Sequence, residues 1–149
     1  MAQGSGRGYL GTAVAPSSSP ILVFLHSGDY DRMHHGLSIA AAAVAQERPV
    51  EVIFLWWALE RLLGGDLDEP DFGPGREAVS DRFERRGLPT LRTLLDHLVE
   101  SGLCTRIACT GSLAALGREA EAAAAPVDLW LGWSAILQRT AGVTDRFTL

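Results

Sequence analysis

Cys109 is the residue of this sequence best placed to act as a nucleophile. It closes an apolar run typical of a buried strand, and Thr110, Gly111 and Ser112 follow it at the start of a short predicted helix. Backbone N–H groups and the helix dipole at such a junction favour a thiolate and lower the pKa of a cysteine. A thiolate is the nucleophile in exchange reactions at sulfur. The alternative interpretation is a small buried apolar residue, which free cysteine often is.

The second cysteine, Cys104, is not expected to work together with Cys109. Five extended residues span about 16 Å, whereas the Cα atoms of a disulfide lie within about 7 Å of each other. Alternation along a strand also places the two side chains on opposite faces. His34 and His35 are adjacent in a predicted helix and point in different directions. We therefore predict two free thiols and no metal site.

A further group of polar residues follows the first apolar run of the chain. His26 ends that run and is a candidate general acid–base, or a residue that orients a thiolate, with a structural role as the equal alternative. Ser27 and Gly28 come just before a predicted helix, whose N-terminal N–H groups can bind an anion. The residues after Cys109 are in the same kind of position. The predicted ligand or anion site consists of Ser27, Gly28, Thr110, Gly111 and Ser112.

The strands and helices that position these residues follow from hydrophobic patterns. Strands are predicted at residues 21–26, 50–56, 103–109, 127–132 and 146–149. Helices with apolar residues at helical spacing separate the strands, and the first of them is predicted to be capped by Asp31. This alternation predicts a three-layer α/β sandwich with a mostly parallel five-stranded sheet. Ligands of such sheets bind at the carboxyl ends of the strands, where His26 and Cys109 are expected.

Two segments do not fit this simple alternation. Residues 64–89 are rich in glycine, proline and charged residues, and we interpret them as a long loop that is either functional or disordered, with a helical turn considered near residues 76–86. Trp56 ends the second predicted strand, and Trp57 begins a short predicted helix. Alternation would place one ring on each side of the chain, and core packing or a subunit contact is favoured over a ligand platform.

Composition limits the class of protein. The 149 residues, 47% hydrophobic and 21% charged, are typical of one globular domain, assigned to residues 21–149 after a flexible tail at residues 1–20. A net charge of -5 argues against nucleic-acid binding, and no apolar run is long enough to span a membrane. The tail does not resemble a signal peptide, so we expect a cytoplasmic protein with reduced thiols. The absence of lysine excludes Schiff-base chemistry on a lysine and a P-loop lysine.

Residues 106–117, Arg-Ile-Ala-Cys-Thr-Gly-Ser-Leu-Ala-Ala-Leu-Gly, resemble the strand, cysteine and helix of DsrE-like proteins. In that family a cysteine is followed by a Ser-Leu or Ser-Met pair and then by a glycine. Residues 21–28 resemble the family's first strand and its Ser-Gly turn, and residues 127–132 and 145–149 resemble its last two strands. The resemblance implies a flavodoxin-like or Rossmann-like sandwich in a small cytoplasmic protein that forms trimers or hexamers.

The resemblance also implies an activity. Cys109 matches the cysteine that carries a persulfide in the sulfur-relay members of the family. It would accept sulfur from a donor and pass it to an acceptor, either of which is a protein or a small thiol, and no cofactor would be required. The alternatives are a non-catalytic oligomeric module that binds a small molecule or anion through Ser27, Gly28 and Ser112, and an interaction subunit that docks a partner.

Overall fold

Strands and helices alternate along the chain as the hydrophobic pattern predicts. The computed structural model describes residues 18–149. Residues 1–17 of the predicted tail lie outside the described residues. The strands are β1 Ile21–Leu25, β2 Val50–Phe54, β3 Cys104–Cys109, β4 Leu129–Leu131 and β5 Asp145–Thr148. The helices are α1 Tyr30–Ala45, α2 Trp56–Gly64, α3 Glu77–Arg85, α4 Leu91–Ser101, α5 Thr110–Leu116, α6 Glu119–Ala122 and α7 Trp133–Arg139.

The five strands form one parallel sheet in the order β4-β3-β2-β1-β5. The chain crosses the sheet in one direction from β1 to β4 and then returns past β1 to add β5 at the opposite edge. A right-handed crossover to a strand on one side places its helix on one face of the sheet, and a right-handed crossover to the other side places its helix on the opposite face. The helices between β1 and β4 therefore cover one face, and α7 covers the other. The predicted three-layer α/β sandwich is confirmed, and its sheet is parallel throughout.

The face covered by α1, α2 and α4, called here the α1 face, holds the larger core. Burial of a large apolar side chain stabilises the fold by about 1.5–3 kcal/mol. Most of the fully buried large apolar side chains lie on this face. They include Val23, Leu25, Val52 and Phe54 from the sheet, Met33 and Leu37 from α1, Leu59 from α2, and Leu91 and Leu98 from α4.

The opposite face, called here the α7 face, holds a smaller core. Its buried members are Ile53, Leu55, Ile107, Cys109 and Ile136. Ile136 is the one buried residue that α7 contributes. At the start of α7 the ring of Trp133 stacks on Phe24 with the ring centroids 6.4 Å apart. A helix of seven residues thus covers a sheet face with few contacts.

The segment predicted as a long loop, residues 64–89, contains the helix α3. Phe83 is the one buried residue of α3, and its ring contacts the rings of Tyr30, His34 and Phe72. The Nε2 atom of His34 also donates a hydrogen bond to the backbone oxygen of Pro89 (3.0 Å). The segment is therefore folded against α1. The rest of α3 is largely polar, so its sequence carries little hydrophobic signal for this contact.

The start of α1 differs from the prediction. The helix begins at Tyr30 with Asp29 as its N-cap, and the predicted capping role of Asp31 is wrong. Asp31 lies inside the first turn, where its side chain accepts a hydrogen bond from the backbone N–H of Arg32. The Asp29 N–H is satisfied by the Ser27 hydroxyl (3.1 Å). A turn stabilised by Ser27 therefore begins the helix two residues earlier than the apolar pattern indicates.

Candidate functional site

The carboxyl ends of β1, β2 and β3 bring three segments of the chain to one level of the sheet. Leu25 pairs with Phe54, and Phe54 pairs with Ala108, so the residues that follow them are also level. His26 and Cys109 are two of these following residues, and β2 lies between their strands. Because neighbouring strands are about 4.8 Å apart, β1 and β3 are about 10 Å apart.

Cys109 ends β3 and is the N-cap of α5, as the sequence predicts. Cys109 is 3% exposed, and it packs among apolar side chains of the α7 face. The thiol makes no capping hydrogen bond to α5. Ile136 on α7 belongs to the same hydrophobic cluster, so α7 packs on the face of the sheet that holds the thiol. A reaction at this sulfur therefore requires local opening of the cover.

Cys104 lies on the opposite side of the sheet from Cys109, which confirms the prediction that the two thiols occupy opposite faces. It is a free, partly buried cysteine packed against the core of the α1 face. Burial raises the pKa of the Cys104 thiol from 9.0 to about 12, with a smaller opposing effect from the Arg106 guanidinium. Cys104 is thus a protonated thiol at neutral pH, which disfavours a role as nucleophile.

His26 follows the carboxyl end of β1 and is exposed. Its backbone N–H donates to the backbone oxygen of Leu149 (2.7 Å), and its carbonyl oxygen accepts from Ala58 N–H (3.2 Å). No hydrogen bond joins the His26 ring to Cys109 or to any other described residue. In this arrangement β2 separates the two side chains, so the proposed orienting role of His26 stays a prediction.

The residues predicted to bind a ligand or anion form two separate groups. Ser27 and Gly28 line an open cleft of about 550 Å³ between the start of α1 and helix α2. Ser112 is 3% exposed within α5, and neither it nor its neighbours Thr110 and Gly111 line that cleft. The structure therefore does not assemble the five residues into one site.

Gly28 is required by the close approach of two turns. A Cβ atom at this position would lie 2.7 Å from the backbone oxygen of Trp57, closer than real Cβ atoms approach backbone atoms. The Gly28 carbonyl accepts a hydrogen bond from Nε of Arg61 (2.5 Å), and Nη1 of Arg61 donates to the Asp66 carbonyl (3.0 Å). Arg61 thus joins the turn after β1 to the turn after α2.

The sequence pattern does not single out Arg61, whose contacts fix the geometry of this cleft. It lies inside a predicted helix, where a charged residue is typically a solvated surface group. The sequence signal that could have found it is its position on α2, the element that follows β2 at the carboxyl edge of the sheet. The contacts with Gly28 and Asp66 become visible only in the folded chain.

Trp56 and Trp57 begin helix α2 and do not continue β2, so the predicted alternation of their rings is wrong. Their ring centroids are 6.1 Å apart, and the residues are 41% and 52% exposed. Core packing is therefore also wrong for this pair. Trp56 has φ 42°, a strained value for a bulky residue. Such strain clusters at functional sites and costs about 1–3 kcal/mol per residue.

Comparison with known proteins gives no match, either to the models of protein families or to curated proteins. Within residues 18–149 there is no group of three or more histidine, cysteine or carboxylate side chains arranged to hold a metal ion. None of the helices in this part of the chain is long and apolar enough to cross a membrane.

Proposed function

We propose that the protein is a sulfur-relay persulfide carrier of the DsrE-like type, with Cys109 as the sulfur-carrying residue. The observation that supports this most directly is the position of Cys109, which closes β3 and begins α5 at the carboxyl edge of a parallel sheet. Ligands of open parallel sheets bind at this edge. The residues around Cys109 are also those on which the family resemblance rests.

The proposed step is an exchange at sulfur. The Cys109 thiolate attacks the terminal sulfur of a donor persulfide, R–S–S⁻, and forms Cys109–S–S⁻ while the donor leaves as R–S⁻. An acceptor thiolate then attacks the terminal sulfur of Cys109–S–S⁻ and releases the Cys109 thiolate. One S–S bond forms and one breaks in each step, so no electrons are gained or lost overall. The thiol protons pass to solvent before each attack.

The cover over Cys109 gives this step a conformational requirement. Helix α7 contributes one buried residue, and an ion pair between Arg139 and Glu51 (2.6 Å) ties its last turn to β2. Elements with few buried contacts open locally at lower free energy than the whole fold. We propose that α7 opens to admit donor and acceptor and closes to keep the persulfide away from water.

We further propose that the carrier is a cytoplasmic homotrimer or homohexamer, as the resemblance implies. Exposed apolar residues at the carboxyl edge and on α7 support a contact surface of this kind: Trp56, Trp57, Trp133 and Leu137. Aromatic residues are enriched at protein interfaces. The proposed partners in transfer are a sulfur donor and acceptor, each a protein or a small thiol.

The proposal is tested by intact mass after incubation with a persulfide donor under non-reducing conditions. Wild type, Cys104→Ser and Cys109→Ser are compared. We expect a gain of one sulfur atom, about 32 Da, that is removed by reductant and is missing only in Cys109→Ser. A gain that persists in Cys109→Ser, or no gain in wild type together with a Cys109 that resists alkylation, would show that Cys109 is structural.

Non-catalytic binding of a small molecule is the second candidate function. The cleft of about 550 Å³ beside Ser27 and Gly28 favours it, since small-molecule sites are concave and have volumes of about 300–1,000 Å³. A ligand-dependent rise in melting temperature that is unchanged in Cys109→Ser would support this function and separate it from sulfur transfer.

A further inference from the structure

Arg61 presents a fixed positive charge to the cleft beside Ser27 and Gly28. Its Nε and Nη1 atoms each donate to a backbone carbonyl oxygen, which holds the guanidinium in place. These bonds use two of the five guanidinium N–H groups. No carboxylate among the described residues forms an ion pair with Arg61. The guanidinium therefore keeps donors available for an anionic group.

Among the described cations that line the cleft, only Arg61 lacks an ion-pair partner. Arg118 lines the same cleft, and its Nε lies 3.0 Å from Oε2 of Glu121. Asp29 also lines the cleft and pairs with Arg32 at 3.8 Å. Each of these charges has an opposite charge beside it. Arg61 is the cation lining this cleft that lacks a carboxylate partner in the described structure.

Two carboxylates of the cleft are also without an ion-pair partner in the described structure. Glu60 and Asp66 line the cleft, and both residues are exposed. Glu60 precedes Arg61 in the sequence, and the backbone oxygen of Asp66 accepts a hydrogen bond from Arg61. The unpaired charges are therefore one positive and two negative. This arrangement disfavours a phosphate dianion, because like charges repel. It matches a ligand that carries one carboxylate and two cationic groups.

We propose that this cleft binds a free cationic α-amino acid of the lysine class. Its carboxylate contacts the Arg61 guanidinium, and its two ammonium groups lie toward Glu60 and Asp66. Trp57, 52% exposed, also lines this cleft, and in the proposed complex its ring lies beside the side-chain cation. The inference gives the second candidate function a ligand class, and it is independent of sulfur transfer at Cys109.

The test is amide chemical-shift mapping of the full chain by NMR during titration with L-lysine. We expect shifts centred on Ser27, Gly28 and Gly64. Acetate and n-butylamine each carry part of the ligand's charge, and we expect them to bind at least about tenfold more weakly than L-lysine. Inorganic phosphate is the plain-anion probe and is expected to bind more weakly still.

Four variants complete the test. Arg61→Gln and Glu60→Gln are expected to weaken L-lysine binding by about tenfold and about threefold. Glu60→Gln changes an exposed residue whose side chain makes no hydrogen bond in the described structure, so it remains informative if Arg61→Gln disturbs the turns. Glu100→Gln on α4 is the matched control, and it and Cys109→Ser should bind as wild type does. Phosphate binding as tight as that of L-lysine, shifts centred elsewhere, or undiminished binding by Glu60→Gln would overturn the proposal.

Discussion

Each face of the sheet carries one cysteine, and the two cysteines differ in how they are buried. Cys104 packs at the margin of the α1 face, whose core is built from the long helix α1 together with α2 and α4. Cys109 lies in the small core of the α7 face, where a seven-residue helix with one buried side chain forms the cover. The more deeply buried thiol thus lies under the less extensive cover. Exposure and the extent of the cover therefore give opposite expectations for which thiol reacts.

The largest expected effect is on the α1 face. Leu37 is fully buried in α1, and Leu37→Ala should lower the free energy of unfolding by about 2–5 kcal/mol because it removes packed methyl groups and leaves a cavity. Urea denaturation measures the change. Val99→Ala is the matched control, because Val99 is 46% exposed on α4 and its truncation should change stability by less than about 0.5 kcal/mol. Equal effects would contradict the assignment of the main core to the α1 face.

The second prediction concerns Cys104 at alkaline pH. Its thiol pKa is raised from 9.0 to about 12 in the folded chain, so the folded state resists deprotonation more than the unfolded state does. The protonated Cys104 thiol therefore contributes to the free energy of unfolding in full below pH 9, and this contribution is lost as the pH rises to 12. By linkage the loss reaches up to about 4 kcal/mol. Cys104→Ala should therefore lose less stability than wild type between these two pH values.

This second comparison is made by urea denaturation at several pH values. Tyr30, whose pKa is also raised by burial, titrates in both proteins, so its contribution cancels in the difference. Identical alkaline losses in wild type and Cys104→Ala would show that Cys104 is solvated, and the contrast between the two thiols would then need revision.

The smallest expected effect tests the cover over Cys109. Ile136→Ala removes the one buried side chain of α7, so local opening of the helix should become easier. We expect alkylation of Cys109 by N-ethylmaleimide to become on the order of tenfold faster, while Cys104 is unaffected. Site-resolved mass spectrometry measures both rates, and Gln138→Ala, an exposed position on the same helix, is the control. Unchanged Cys109 alkylation in Ile136→Ala would show that α7 does not control access.

Much of the fold is determined by local sequence. Apolar runs identify β1 to β4, and Thr90 caps α4 through its side chain, which accepts from the Thr93 N–H. The placement of Cys104 and Cys109 on opposite faces follows from strand alternation and needs no tertiary information. Such features depend on residues close in sequence, and for this reason a pattern of side-chain types predicts them.

Only the tertiary structure decides which face covers Cys109 and how Arg61 is used. The order of the strands depends on pairing between segments far apart in the chain, and within residues 18–149 it leaves α7 as the one helix on its face of the sheet. Arg61 reaches the carbonyl of Gly28, which lies 33 residues away, and so becomes a fixed charge in a cleft. The contact of Phe83 with α1 is likewise long-range. These features rest on contacts between distant residues, whose energies no local pattern of residue types encodes.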